Sequence, residues 1–62
     1  MFKFKVMAKK DGRTDCRGFA KTYTDAIEII NAIEKLNKNS FDIAYIVHNG
    51  TDMVVDTVNK NR

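Results

Sequence analysis

Phe2, Phe4, Val6 and Ala8 alternate with Lys3, Lys5, Met7 and Lys9, and a period of two puts all four apolar residues on one face of a strand. Asp11-Gly12 then marks a turn, because glycine takes positive φ without a steric penalty. A second strand is predicted from about Thr14 to Thr22. A two-residue loop would set Arg17 beside Val6 on the buried face. An odd loop, Asp11-Gly12-Arg13, instead sets Cys16, Gly18 and Ala20 beside the buried Phe and Val residues. The odd loop is therefore expected, with Cys16 a small buried residue facing inward. Lys3, Lys5, Lys9, Arg17 and Lys21 then gather on the opposite face with Met7, Phe19 and Tyr23.

From Ala26 to Leu36 the apolar residues recur with helical spacing, Thr24 offers an N-cap, and Asp25 suits the positive end of the helix dipole. Ala26, Ile27, Ile29, Ile30, Ala32, Ile33 and Leu36 spread over an arc of roughly 220°, wider than one sheet needs. Ile27 on one flank or Ala32 on the other is expected to touch something further. Glu28, Asn31, Lys35 and Lys38 form the solvent side.

Phe41 to His48 reads as a third strand, and Asn49-Gly50 as a type I′ turn into a fourth from Thr51 to Val58. That turn places Tyr45 opposite Val54. Ala44 and Ile46 then share a face with Met53 and Val55, while Ile43, Tyr45 and Val47 share the other with Val54. Strand 3 is apolar on both faces, and one helix covers only one. Asn59 to Arg62 is a polar tail expected to fray. The whole, residues 1–62, is read as a single α+β domain of ββαββ type, with one helix on a four-stranded antiparallel sheet in the order 2-1-3-4.

Composition sharpens this in two ways. A chain of 62 residues supplies only a small core, so a further stabiliser is expected. With a single cysteine no internal disulfide is available, and no cluster of Cys, His and carboxylates suggests a metal. Self-association remains, as a homodimer or a higher oligomer. Eleven Lys and Arg against eight Asp and Glu give a net charge of +3, a mild bias that permits an acidic partner without requiring one. The N-terminal segment alternates and has no long apolar run. It is read as neither a signal peptide nor a membrane span, and with one unpaired cysteine the expected setting is cytoplasmic.

Candidate chemistry is sparse. Cys16 would need a base or a positive environment to act as a thiolate, and local spacing places no Ser, Cys or carboxylate beside His48. His48 reads as a solvated turn residue. Asp52 and Asp56, with Asp42 or Asp15, lack the punctuated oxygen ligands of a calcium loop and read as charges guarding an edge strand. We identify no phosphate loop, dinucleotide fingerprint or nucleophile elbow. The expectation is a non-enzymatic binding protein that uses no cofactor and no membrane. Its apolar contact surface is placed on Ile43, Tyr45, Val47, Val54 and Ile27. An inhibitor or adaptor acting on a protein leads. Small Lys- and Asn-rich domains of this style are common in phages and mobile elements, where many block a host enzyme, an analogy of size and style alone. The alternative is a nucleic-acid module using Lys3, Lys5, Lys9, Arg17, Phe19, Lys21 and Tyr23, since cations interleaved with rings suit single strands.

Overall fold

The computed structural model describes residues 1–37 and 39–59. Its elements are β1 (Phe4–Lys10), β2 (Arg13–Ala20), α1 (Tyr23–Leu36), β3 (Ile43–His48) and β4 (Val54–Asn59). All neighbours pair antiparallel in one sheet of order β2-β1-β3-β4. The predicted ββαββ architecture and strand order are therefore those observed. Lys38 and the tail residues Lys60, Asn61 and Arg62 lie outside the described residues, whereas Asn59 ends β4 opposite Ile43.

The helix covers one face of the sheet, lying over β2, β1 and β3. Val6, Ala8, Ala20, Ala44 and Ile46 from the sheet meet Ala26 and Ile30 from α1, and Phe41 closes the end of this core. The four alanines matter because a methyl group lets the two layers approach closely. On one flank Ile29 lies over Gly18, where a methyl group would stand 3.5 Å from its side chain. Ile27 is half-buried against the same core. Farther round the flank of Ile29, away from Ile27, Ala32 and Leu36 are exposed.

The starts of α1 and β3 differ from the sequence reading, each for a local reason. The helix starts earlier, capped by Thr22 and not Thr24: Thr22 Oγ1 accepts from the Asp25 amide at 3.1 Å. This satisfies one of the amides a helix start leaves unpaired. Asn37 ends the helix, its amide donating to Ile33 O. Strand 3 begins at Ile43, leaving Phe41 in the connection, 2% exposed.

Both hairpins also differ. Asp11 (φ 52°) and Gly12 (φ 82°) form a two-residue turn between the paired Lys10 and Arg13, as expected where both central residues have positive φ. A bulge between Val6 and Met7 then restores the phase that the odd loop was invoked to supply. Val6 faces Gly18 and Phe4 faces Ala20, but below the bulge Met7 faces Cys16. The core is spared an arginine, and Arg17 is the residue squeezed out of the pairing. Cys16, expected inside, is exposed on the opposite face.

In the second hairpin the loop runs from Asn49 to Asp52, closed by His48 N donating to Met53 O at 2.9 Å. Asn49 is engaged elsewhere: its amide donates to Lys3 O at 2.9 Å and its side chain to Phe2 O at 3.2 Å. It thus extends the pairing with β1 in place of a two-residue turn with β4. Val54 therefore pairs with Val47, and Tyr45 with Thr57. A second bulge, between Ile46 and Val47, ejects Val55 and puts Val58 on the core side opposite Ala44. Without it Thr57 would take that place. Met53 and Val55, expected under the helix, are exposed.

Candidate functional site: the open face of the sheet

Strand alternation makes the face away from the helix a grid of three rows. Reading from β2 to β4, the rows are Phe19, Lys5, Val47, Val54; then Cys16, Met7, Tyr45, Thr57; then Thr14, Lys9, Ile43, Asn59. Among the described residues no element covers this grid. A shallow depression of about 220 Å³ is sunk into it, lined by Lys5, Met7, Thr14, Tyr45, Val47, Asp52 and Val54. Val47 is only 4% exposed although no helix lies above it. Lys5 Nζ meets Asp52 Oδ1 at 2.8 Å at the rim. This carboxylate, above all, raises the Lys5 pKa, against a smaller effect of burial.

Four of the five residues proposed for an apolar contact surface, Ile43, Tyr45, Val47 and Val54, share this face. Ile27 does not, since it packs on the core beneath α1. The basic set is dispersed. Lys5, Lys9 and Phe19 lie on the open face, and Lys3 and Lys21 are exposed outside the strands at one end of the sheet. Arg17 turns away: its guanidinium bonds to Asp15 Oδ1 at 2.6 Å and to Ser40 O at 2.9 Å, in the connection after α1. Tyr23 opens the helix, so it leaves the open face too. The fuller α1, capped at Thr22, carries it there.

The carboxylates considered together for a cation are apart and engaged. Asp52 pairs with Lys5, Asp15 with Arg17, Asp42 with Lys10 at 3.9 Å, and Asp56 accepts from Tyr23. Among the described residues no three of His, Cys, Asp and Glu converge as metal ligands. His48 is exposed and stacks on Phe4 with ring centroids 5.5 Å apart. Cys16 has only a weak 3.8 Å contact to Gly18 O. The geometry thus offers a partly apolar contact area with one ion pair at its rim, and brings no nucleophile together with a base among the described residues. Met7 and Asp52 were missed as site residues. Met7 was legible as the one apolar residue in the lysine phase of β1, whereas Asp52 depended on a loop length that Asn49-Gly50 did not disclose.

The Tyr23 hydroxyl donates to Asp56, tying the first turn of α1 to β4 across the core face. Asp56 also accepts from the Thr57 amide at 2.8 Å. The Tyr23 bond first and that amide second hold the Asp56 pKa below its ordinary value, and the same bond raises the Tyr23 pKa. A depressed folded pKa contributes stability that is present above the ordinary carboxylate value of about 3.9 and lost as pH falls through the folded value. A raised phenol contributes below about pH 10 and is lost as pH rises through its folded value. Tyr23→Phe should therefore flatten the acid limb of a plot of thermal midpoint against pH. An unchanged acid limb in that variant would show that the bond is not maintained in solution.

Among the described residues no helix is long and apolar enough to cross a membrane. Comparison with known proteins finds no matching family model, no matching curated protein and no matching solved structure.

Proposed function

We propose that this chain is a non-enzymatic binding protein whose open sheet face is a protein-contact surface, and that it acts as an inhibitor or adaptor. The observation that carries this reading is the uncovered, partly apolar sheet face, where Met7, Tyr45 and Val54 surround a depression beside the nearly buried Val47. Large contiguous apolar surface on a small domain marks an interaction site. Tyr45 suits its centre, since it buries a rigid ring and keeps a hydroxyl for the rim. Protein is favoured over nucleic acid because Lys5 is neutralised by Asp52 and because Arg17 and Tyr23 lie elsewhere.

The test is whether Tyr45 on this face carries association, with a second copy or with another protein. Light scattering at micromolar concentration should give at least twice the 7.1 kDa chain mass, with a thermal midpoint that falls on dilution. Tyr45→Glu should keep the wild-type circular dichroism spectrum and lose the association, because it sets a charge in a desolvated contact. Titration with single-stranded nucleic acid should give weak binding at physiological salt. Submicromolar affinity that collapses with added salt and is lost in Lys9→Glu would reverse the choice of partner class.

A further inference from the structure

We propose that the occupant of the open face is a second copy of this chain, related by a two-fold axis that runs along the strands between β1 and β3. The proposal rests on the contact-surface reading above and specifies its partner and geometry.

A two-fold contact must be self-complementary, each patch meeting the patch that the axis carries onto it. Two sheets packed face to face stand about 10 Å apart with strands roughly aligned, which leaves two simple choices of axis. An axis across the strands lays β1 on β1 and exchanges the outer rows. Lys5 of each copy then stands over Lys9 of the other, and Phe19 over Thr14. Lys9 then lies over a Lys5–Asp52 ion pair and a ring over a polar residue, so the outer rows gain no apolar contact, which opposes that arrangement.

An axis along the strands keeps the rows and exchanges β1 with β3 and β2 with β4. Met7 then lies over Tyr45 of the second copy, twice about the centre, and sulfur against an aromatic ring is a favourable contact. Phe19, 47% exposed and touched in its own chain by the equally exposed Phe2 with ring centroids 5.7 Å apart, comes over Val54 at the side of the depression. A dry cavity of about 150 Å³ holds a benzene molecule, so a depression of about 220 Å³ has room for the ring's edge. Lys9 meets Ile43, covering apolar surface with its methylenes, and Lys5 comes over the nearly buried Val47. Asp52 remains beside Lys5 in both copies, so Lys5 brings its counter-charge into the contact. With long extents of 29 and 21 Å, the molecule offers a face of at most about 600 Å² in projection, so two such faces fall at the lower end of the roughly 1,200 to 2,000 Å² that two partners together bury in a standard interface.

The axis also decides which cysteines meet. Cys16 comes over Thr57 of the second copy, and the two Cys16 residues lie at opposite margins of the sandwich. The experiment is therefore cross-linking of the full chain with a short bismaleimide, read beside light scattering. Thr57→Cys should give covalent dimer linked from position 16 to position 57, identified by mass spectrometry, while the wild-type chain gives none. Phe19→Ala should weaken the dimer by about tenfold or more, and alkylation of Cys16 should slow as the wild-type concentration rises. Efficient linkage of Cys16 to Cys16 in the wild type, or dimers unaffected by both Phe19→Ala and Tyr45→Glu, would overturn this geometry while leaving a self-associating protein. A wild-type chain that stays monomeric to millimolar concentration overturns the second-copy proposal. If that monomer still captures a protein ligand through Tyr45, the contact-surface reading survives alone.

Discussion

Ile46→Glu is expected to leave no folded protein at any concentration, although Tyr45→Glu, one residue away, leaves the fold intact. Adjacent strand residues point to opposite faces, and Ile46 points beneath α1. It is fully buried, paired with Val6 across β1 and facing Asp56 on β4. An ionised carboxylate there costs several kcal/mol in desolvation, and a neutral one still forfeits the burial of the Ile side chain, about 2 to 5 kcal/mol. Domain stabilities run at roughly 0.05 to 0.15 kcal/mol per residue, which for this chain is roughly 3 to 9 kcal/mol in total. Either protonation state of the glutamate consumes most of that. Far-UV circular dichroism and amide dispersion in NMR spectra distinguish the cases. An Ile46→Glu protein that melts cooperatively near the wild-type temperature would mean that the two faces of the sheet have been exchanged.

Phe41→Ala should be the most damaging truncation of a residue outside any helix or strand. Its ring closes the end of the core where the chain leaves α1 for β3, at 2% exposure. The connection holds it from both sides. Ser40 N donates to Asn37 O at 3.1 Å, and Asp42 N donates to Lys9 O at 2.8 Å. With the flanking backbone pinned to the helix end and to β1, the surroundings relax little into the cavity. Truncations of this kind cost about 3 to 5 kcal/mol, and each kcal/mol lowers the midpoint of a domain this small by roughly 4 to 8 °C. The expected fall is tens of degrees, with the urea midpoint reduced and the slope of the transition unchanged. A fall of only a few degrees would show that Phe41 is not seated between the layers.

The architecture was legible because the main elements carried distinct signals: a period of two from Phe2 to Ala8, helical spacing from Ala26 to Leu36, and a short apolar run ahead of a turn in the third strand. Register was less so, and for a physical reason. A requirement such as keeping Arg17 out of the core states which side chains must be inside, and several backbone devices satisfy it. An odd loop and a two-residue turn followed by a bulge give the same pairing at Val6 and Phe4. They differ only beyond the bulge, where the fate of Cys16 was misread. The second hairpin fails similarly. Asn49-Gly50 is a strong local turn signal, but Asn49 bonds to the start of β1, a contact that no window around residue 49 contains. The face of β3 was argued from that turn, but what sets Ala44 and Ile46 inward is their pairing with Ala8 and Val6 of β1. Tyr23 was misplaced because Thr22 and Thr24 are equally good caps by type, and the choice between them decides which layer the ring joins.

The strand order β2-β1-β3-β4 has a kinetic consequence. Each outer pair is a hairpin closed over a few residues, but the central pair brings Phe4 to His48 and Lys9 to Ile43, so the whole of α1 must be spanned before the middle of the sheet exists. Closing so long a loop is entropically unfavourable and is offset only when Val6 meets Ile46 and the helix descends on both. Neither hairpin buries an apolar face alone, and an isolated hairpin is at best marginally stable in water. The rate-limiting ensemble is therefore one in which β1 has already found β3, and the two turns, for all their prominence in the chain, set the register of a sheet whose formation they do not time.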